Sequence, residues 1–144
     1  MRFLDANVFI YAYYKPRRKL TQREEQMKEQ AKKIISSISQ GREEVMTTVV
    51  HLSEVANILK HGMPSERLTS VILGLFMLDN VRILGVSRDA YFAAADLGGD
   101  LKIDPNDALA VDAMRLNEVK EIYSFDEDFE MMEGLTRLPR PEGE

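Results

Sequence analysis

Four carboxylates in four distant segments, Asp5, Glu54, Asp107 and Asp126, are the residues of this chain best suited to chemistry. Acids brought within a few ångströms of one another cannot all stay ionised, because each raises the pKa of its neighbours. A divalent cation resolves that conflict. An all-oxygen donor set suits Mg2+ or Mn2+ better than Zn2+, which favours nitrogen and sulfur. Such a cation lowers the pKa of a bound water, orients it for in-line attack on a phosphodiester and stabilises the leaving oxygen. The chain has no Cys, and His51 and His61 are its only histidines, so thiolate sites and cysteine nucleophiles are excluded and a multi-histidine metal site is disfavoured.

For these acids to meet, the elements carrying them must end at one edge. Arg2 to Leu4 is an apolar strand interrupted by Asp5, and Val8, Phe9, Tyr11 and Ala12 continue it as a helix. A helix is expected from Thr21 to Gln40, with Met27, Ala31, Ile34, Ile35 and Ile38 on one face and Gly41 as its stop. Glu44 to Thr47 reads as a strand, and Thr47 or Thr48 caps a helix over Val49 to Lys60 that contains Glu54. A helix opening at Pro64-Ser65-Glu66 runs to Leu78, followed by a strand from Val81 to Val86. Ser87 caps a further helix that Gly98-Gly99 is expected to end. Asp104, Pro105 and Asp107 start a helix reaching Asn117, and Glu121 to Phe125 forms a strand leading into Asp126. Leu135 to Leu138 supplies a short last strand before a frayed Pro-Glu-Gly-Glu tail.

Strands alternating with helices predict a single α/β domain over residues 1–144, a mostly parallel sheet covered on both faces. In open sheets of this kind ligands bind at the carboxyl ends of the strands. Asp5 and Asp126 lie just past strand ends, Asp107 lies in a first helical turn, and the longer side chain of Glu54 can reach in from two turns along its helix. No apolar run approaches the ~20 residues of a membrane span, so a cytoplasmic protein is expected.

The net charge of −5 conceals an asymmetry: residues 1–42 carry a net +6 and the remainder a net −11. The basic loop Lys15-Pro16-Arg17-Arg18-Lys19 therefore permits contact with a polyanion without proving it.

Four blocks in this order resemble the PIN domain, a metal-dependent ribonuclease family that includes the VapC-type toxins of toxin–antitoxin pairs. They are Phe3-Leu4-Asp5-Ala6-Asn7-Val8-Phe9-Ile10, Thr48-Val49-Val50-His51-Leu52-Ser53-Glu54-Val55, Asn106-Asp107-Ala108-Leu109-Ala110, and Tyr123-Ser124-Phe125-Asp126-Glu127-Asp128-Phe129. The resemblance implies a three-layer α/β/α sandwich around a four- or five-stranded sheet. It assigns Asp5, Glu54, Asp107 and Asp126 to a Mg2+ or Mn2+ ion and gives Asn7 and Ser124 supporting roles. Asp128 matches the acid before the family's aromatic residue, either as a ligand or as a helix cap. Asp112 departs from the pattern, which has a small apolar residue there. RNA as substrate, an antitoxin partner and a homodimer are further implications, with Lys15, Arg17, Arg18 and Lys19 as candidate phosphate contacts.

Simpler readings stand beside these. Asp5 alone is a helix cap, Asp107 an acid favoured by a helix dipole with Asp104 as the cap, and Asp126 a turn residue. Glu54 shares a helix face with His51 and His61, which on its own reads as a solvated stripe, and His51 is left out of the site. Two other functions compete with the ribonuclease: a non-catalytic PIN-like RNA- or protein-binding module, and a flap-type DNA nuclease.

Overall fold

The first strand, β1 (Arg2–Leu4), is three residues long, yet Phe3 and Leu4 are both fully buried. Adjacent strand residues point to opposite faces, so β1 must be an interior strand covered on both sides. The computed structural model describes residues 1–140 and shows this arrangement; the tail expected at Pro141 to Glu144 lies outside the described residues.

After β1 come α1 (Ala6–Tyr13), α2 (Gln22–Ser39), β2 (Val45–Thr48), α3 (Val49–Leu59), α4 (Ser65–Phe76) and β3 (Val81–Leu84). Then follow α5 (Arg88–Leu101), α6 (Pro105–Leu116), β4 (Glu121–Tyr123), a short 3-10 helix (Glu127–Met131) and β5 (Thr136–Leu138). The five strands form one sheet in the order β3-β2-β1-β4-β5, every neighbouring pair parallel. β1 is central. Leu4, Val45 and Tyr123 pack with Val8, Phe9, Ile38 and Val55 from α1, α2 and α3 on one face. Phe3, Met46 and Ile122 pack with Val111 and Met114 of α6 on the other. The result is the expected α/β/α sandwich.

The chain builds outward from β1 through β2 to β3, then returns to the other side of β1 to lay down β4 and β5. This reversal places the topological switch point between β1 and β4, where open parallel sheets bind ligands beyond the carboxyl ends of their strands.

Helix ends follow from local chemistry. Thr21 and Glu24 form a reciprocal capping box at the start of α2. At its end Gly41 takes φ +74°, while Gly41 N–H and Arg42 N–H donate to the carbonyls of Ile38 and Ser37, a Schellman closure. The stop expected at Gly98-Gly99 is not where α5 ends: the helix continues to Leu101 and closes on Lys102, which adopts the left-handed conformation at φ +60°. Gly98 serves close packing instead. A Cβ there would lie 2.9 Å from the Ile103 carbonyl oxygen, where the chain turns from α5 into α6. None of the helices among the described residues is long and apolar enough to cross a membrane.

Candidate metal centre

Asp5 is placed by β1 and is 5% exposed. Its Oδ1 accepts from Ala6 N–H at 2.8 Å, so it does cap α1, and its Oδ2 accepts from Ser124 Oγ–H at 2.7 Å. Two donors only partly replace the water a buried carboxylate loses. Burial, aided by the charges of Glu54 and Asp126, raises the Asp5 pKa to about 6 against the pull of Ser124 and the Ala6 amide.

Ser124, fully buried just past β4, is a junction. While donating to Asp5 it accepts from Asp126 N–H at 3.0 Å and from Asn7 Nδ2 at 3.3 Å. Asn7 Oδ1 also accepts from Phe125 N–H at 3.2 Å. These bonds fasten the end of β4 to the first turn of α1, so the acids following the two strands are held in one frame.

Asp107 enters from α6, whose N-cap is Asp104: Asp104 Oδ1 accepts from Asp107 N–H at 2.8 Å. Burial together with the charges of Asp104, Asp5 and Asp126 drives the Asp107 carboxyl well above the ordinary carboxylate range. Asp126 caps the 3-10 helix by accepting from Asp128 N–H at 2.9 Å. Asp107, Asp126 and Asp128 each offer an oxygen within 4.8 Å of the others. The structure thus brings Asp107 and Asp126 together, with Asp5 behind them, and adds Asp128 to the rim. Asp112, half-buried further along α6, is not in this group.

Glu54 reaches the same field from α3 but by another route. Asn106 Nδ2 donates to Glu54 Oε1, and Tyr91 Oη–H of α5 donates to Asn106 Oδ1. Burial outweighs the Asn106 bond and leaves the Glu54 pKa raised. The solvated stripe expected for His51, Glu54 and His61 does not exist. His51 is 1% exposed, half-buried Glu54 faces Asn106, and His61 lies past the end of α3 in solvent.

His51 has a structural task that its sequence position concealed. Its Nε2 lies 3.1 Å from the Asn106 carbonyl oxygen, which can only accept, so Nε2 carries the proton. Nδ1 is then the acceptor for Thr48 Oγ–H at 2.7 Å. Burial pushes the ring's pKa down to about 4 and keeps it neutral. His51 therefore fixes the start of α6, and with it Asn106 and Asp107, against α3. The threonine cap at Thr48 with a histidine three residues on was the available signal, as was Asn106 directly before Asp107.

The basic loop sits elsewhere. Eight residues of α1 at ~1.5 Å per residue carry the chain roughly 12 Å away from Asp5 before the loop begins. Arg18 is engaged with Glu24 through two bonds of 2.8 and 2.6 Å, whereas Lys15, Arg17 and Lys19 are exposed.

Every donor at the rim is a carboxylate oxygen, and carboxylates this close repel one another unless a cation joins them. That donor set fits a hard divalent ion such as Mg2+ or Mn2+, with Asp107, Asp126 and Asp128 as the group closest to a common point.

Comparison with known proteins agrees with this architecture. A family model described as PIN domain matches residues 2–135. The fold is similar to VapC20 of Mycobacterium tuberculosis, a Sarcin-Ricin loop cleaving toxin, with a TM-score of 0.68 at 19% identity over 91% of this chain and 94% of that one. It is also similar to a toxin–antitoxin complex from Klebsiella pneumoniae, with a TM-score of 0.63 at 15% identity over 94% and 96%. VapBC2 from Rickettsia felis, bound to a DNA fragment from its promoter, matches with a TM-score of 0.61 at 16% identity over 94% and 96%. No curated relative matches by sequence.

Proposed function

From the premise that the chain belongs to the PIN domain family, we propose that it is a cytoplasmic, Mg2+- or Mn2+-dependent endoribonuclease, the toxin of a toxin–antitoxin pair. The observation that carries this reading is the meeting of Asp107, Asp126 and Asp128 within 4.8 Å at the switch point, with buried Asp5 hydrogen-bonded behind them.

A divalent cation bound there supplies an acidified water nucleophile and charge stabilisation for a phosphodiester. The chain's own residues do the rest. Asp107, Asp126 and Asp128 hold the ion from the rim, and Asp5 and Glu54 add negative charge from the buried side. Ser124 and Asn7 orient Asp5 and the Asp126 backbone. Asn106, held by Tyr91 and by the His51 bond to its carbonyl, aims Glu54. With no thiol and its only buried histidine neutral and hydrogen-bonded on both nitrogens, the site offers carboxylate chemistry.

An antitoxin and a second copy of the chain are the partners this reading entails. Support comes from α4 and the residue after it, where Leu73, Phe76 and Met77 are 58%, 54% and 82% exposed, an apolar surface of the kind that partners cover. The test is cleavage of single-stranded RNA by wild type and Asp5→Asn, with Mg2+ or Mn2+ and with EDTA. Metal-dependent cleavage lost in the variant supports the proposal, and EDTA-resistant cleavage equal in both overturns it.

A further inference from the structure

A second cleft, of about 420 Å3, lies on the α1/α2/α4 side of the molecule and is lined by Lys15, Lys32 and Arg67 together with Tyr13, Ser36 and Ser39. No acid lines it, and among the described residues none of its three cations forms an ion pair. In a chain of net charge −5 this is an unusual concentration of free positive charge. The three come from the loop after α1, the middle of α2 and the start of α4, so folding alone assembles them.

The cleft's surroundings also favour an anion. The carbonyls of Tyr11, Ala12 and Tyr14 at the end of α1 would repel one, but Lys28 Nζ covers them at 3.3, 3.3 and 3.0 Å. Besides burial, the charges of Lys32 and Lys15 hold the Lys28 pKa down, which places these ammonium groups in one electrostatic neighbourhood. Ser36 Oγ accepts from Gln40, leaving its own proton to donate outward.

A different cleft, beside Asp126, contains Arg23, Arg137 and Arg140 and is the obvious rival. Its arginines are largely committed. Arg137 is bound to Glu130 and to the Ser124 carbonyl, and Arg23 is paired with Glu127 at 3.1 Å.

We propose that the cleft formed by Lys15, Lys32 and Arg67 binds backbone phosphates of the RNA strand at a distance from the bond that is cut. Lysine, arginine, serine and tyrosine are the side chains that contact phosphates without reading sequence. The inference rests on the ribonuclease reading for the identity of the strand. The roughly 12 Å length of α1 separates Asp5 from this cleft, equivalent to about four nucleotides at the ~3.4 Å per nucleotide of a stacked strand. The cleft therefore sets a minimum substrate length.

The experiment measures fluorescence anisotropy of labelled single-stranded RNA in EDTA, for wild type and for the triple variant Lys15→Gln, Lys32→Gln, Arg67→Gln. The expected result is affinity for a long strand weakened about tenfold, and a slope of log affinity against log salt lowered by about 2, at ~0.7 per phosphate lost. Equal affinity and slope for the long strand would overturn the proposal, as would capture of a polyglutamate peptide by the cleft with RNA binding unaffected. A parallel assay of wild type with Mg2+ or Mn2+ separates the two readings. If it cuts nothing while the triple variant still loses RNA affinity, the nuclease reading falls and the cleft stands; cleavage with no effect of the variant on affinity removes the cleft alone.

Discussion

Ser124 Oγ donates a 2.7 Å hydrogen bond to Asp5 Oδ2 across 119 residues of sequence. The bond joins the ends of two adjacent parallel strands, β1 and β4, at the point where the sheet's strand order reverses. It also satisfies one oxygen of a carboxylate that burial would otherwise neutralise. The same hydroxyl accepts the Asp126 amide, so one serine ties together two of the acids on which the proposed chemistry depends.

The first prediction concerns pH. Asp5 has a folded pKa of about 6 against an ordinary 3.8, so between these values the folded protein binds more protons than the unfolded one. Stability from this group is therefore full below about pH 4 and is lost as pH rises to about 6, by roughly 3 kcal/mol at ~1.4 kcal/mol per pH unit. Denaturant unfolding in EDTA should show Asp5→Asn gaining on wild type across that window and holding its advantage above it. A difference between the two proteins that does not change with pH would contradict the burial argument.

His51 carries the opposite sign. Its folded pKa of about 4 lies below the ordinary 6.5, so the neutral ring's contribution is present above pH 6.5 and disappears as pH falls to about 4. His51→Phe keeps the packing beside Phe3 but leaves the Thr48 hydroxyl and the Asn106 carbonyl without this partner. The cost at pH 7 should be about 1–3 kcal/mol, shrinking toward pH 4. Unfolding curves at the two pH values check it, and a cost independent of pH would rule out the neutral-histidine account.

A pair of glycines separates packing from propensity. Gly98→Ala places a Cβ against the Ile103 carbonyl and should destabilise by about 1–3 kcal/mol, whereas Gly99→Ala meets open space within α5 and should stabilise by about 0.5–1 kcal/mol. Thermal unfolding of both variants decides the matter. Equal effects would mean that the turn between α5 and α6 adjusts freely.

Much of this molecule is readable from local chemistry, because its elements are short and sharply capped. Thr48, Ser87 and Asp104 announce helix starts, Gly41 announces a stop, and the spacing of Ala31, Ile34, Ile35 and Ile38 marks the buried face of α2. Gly98 misled because a glycine demanded by a close backbone approach is indistinguishable in sequence from one demanded by a turn. His51 misled for a related reason: its value lies in a carbonyl 55 residues away, and no local pattern encodes that contact. The proximity of Asp107, Asp126 and Asp128 likewise depends on the path of the chain from β3 through α6 to β4, which only the assembled sheet reveals.

The most direct test of the carboxylate centre is Mn2+ binding by calorimetry, coupled to RNA cleavage, for wild type, Asp126→Asn and Asp5→Asn. Asparagine at 126 retains an oxygen to accept from the Asp128 amide, so the 3-10 helix cap survives while a ligand charge is removed. The account predicts one weakening of metal affinity and one loss of cleavage in each variant, both beyond tenfold, with unfolding midpoints in EDTA no lower than that of wild type. Undiminished Mn2+ affinity in both folded variants, with cleavage intact, would contradict it.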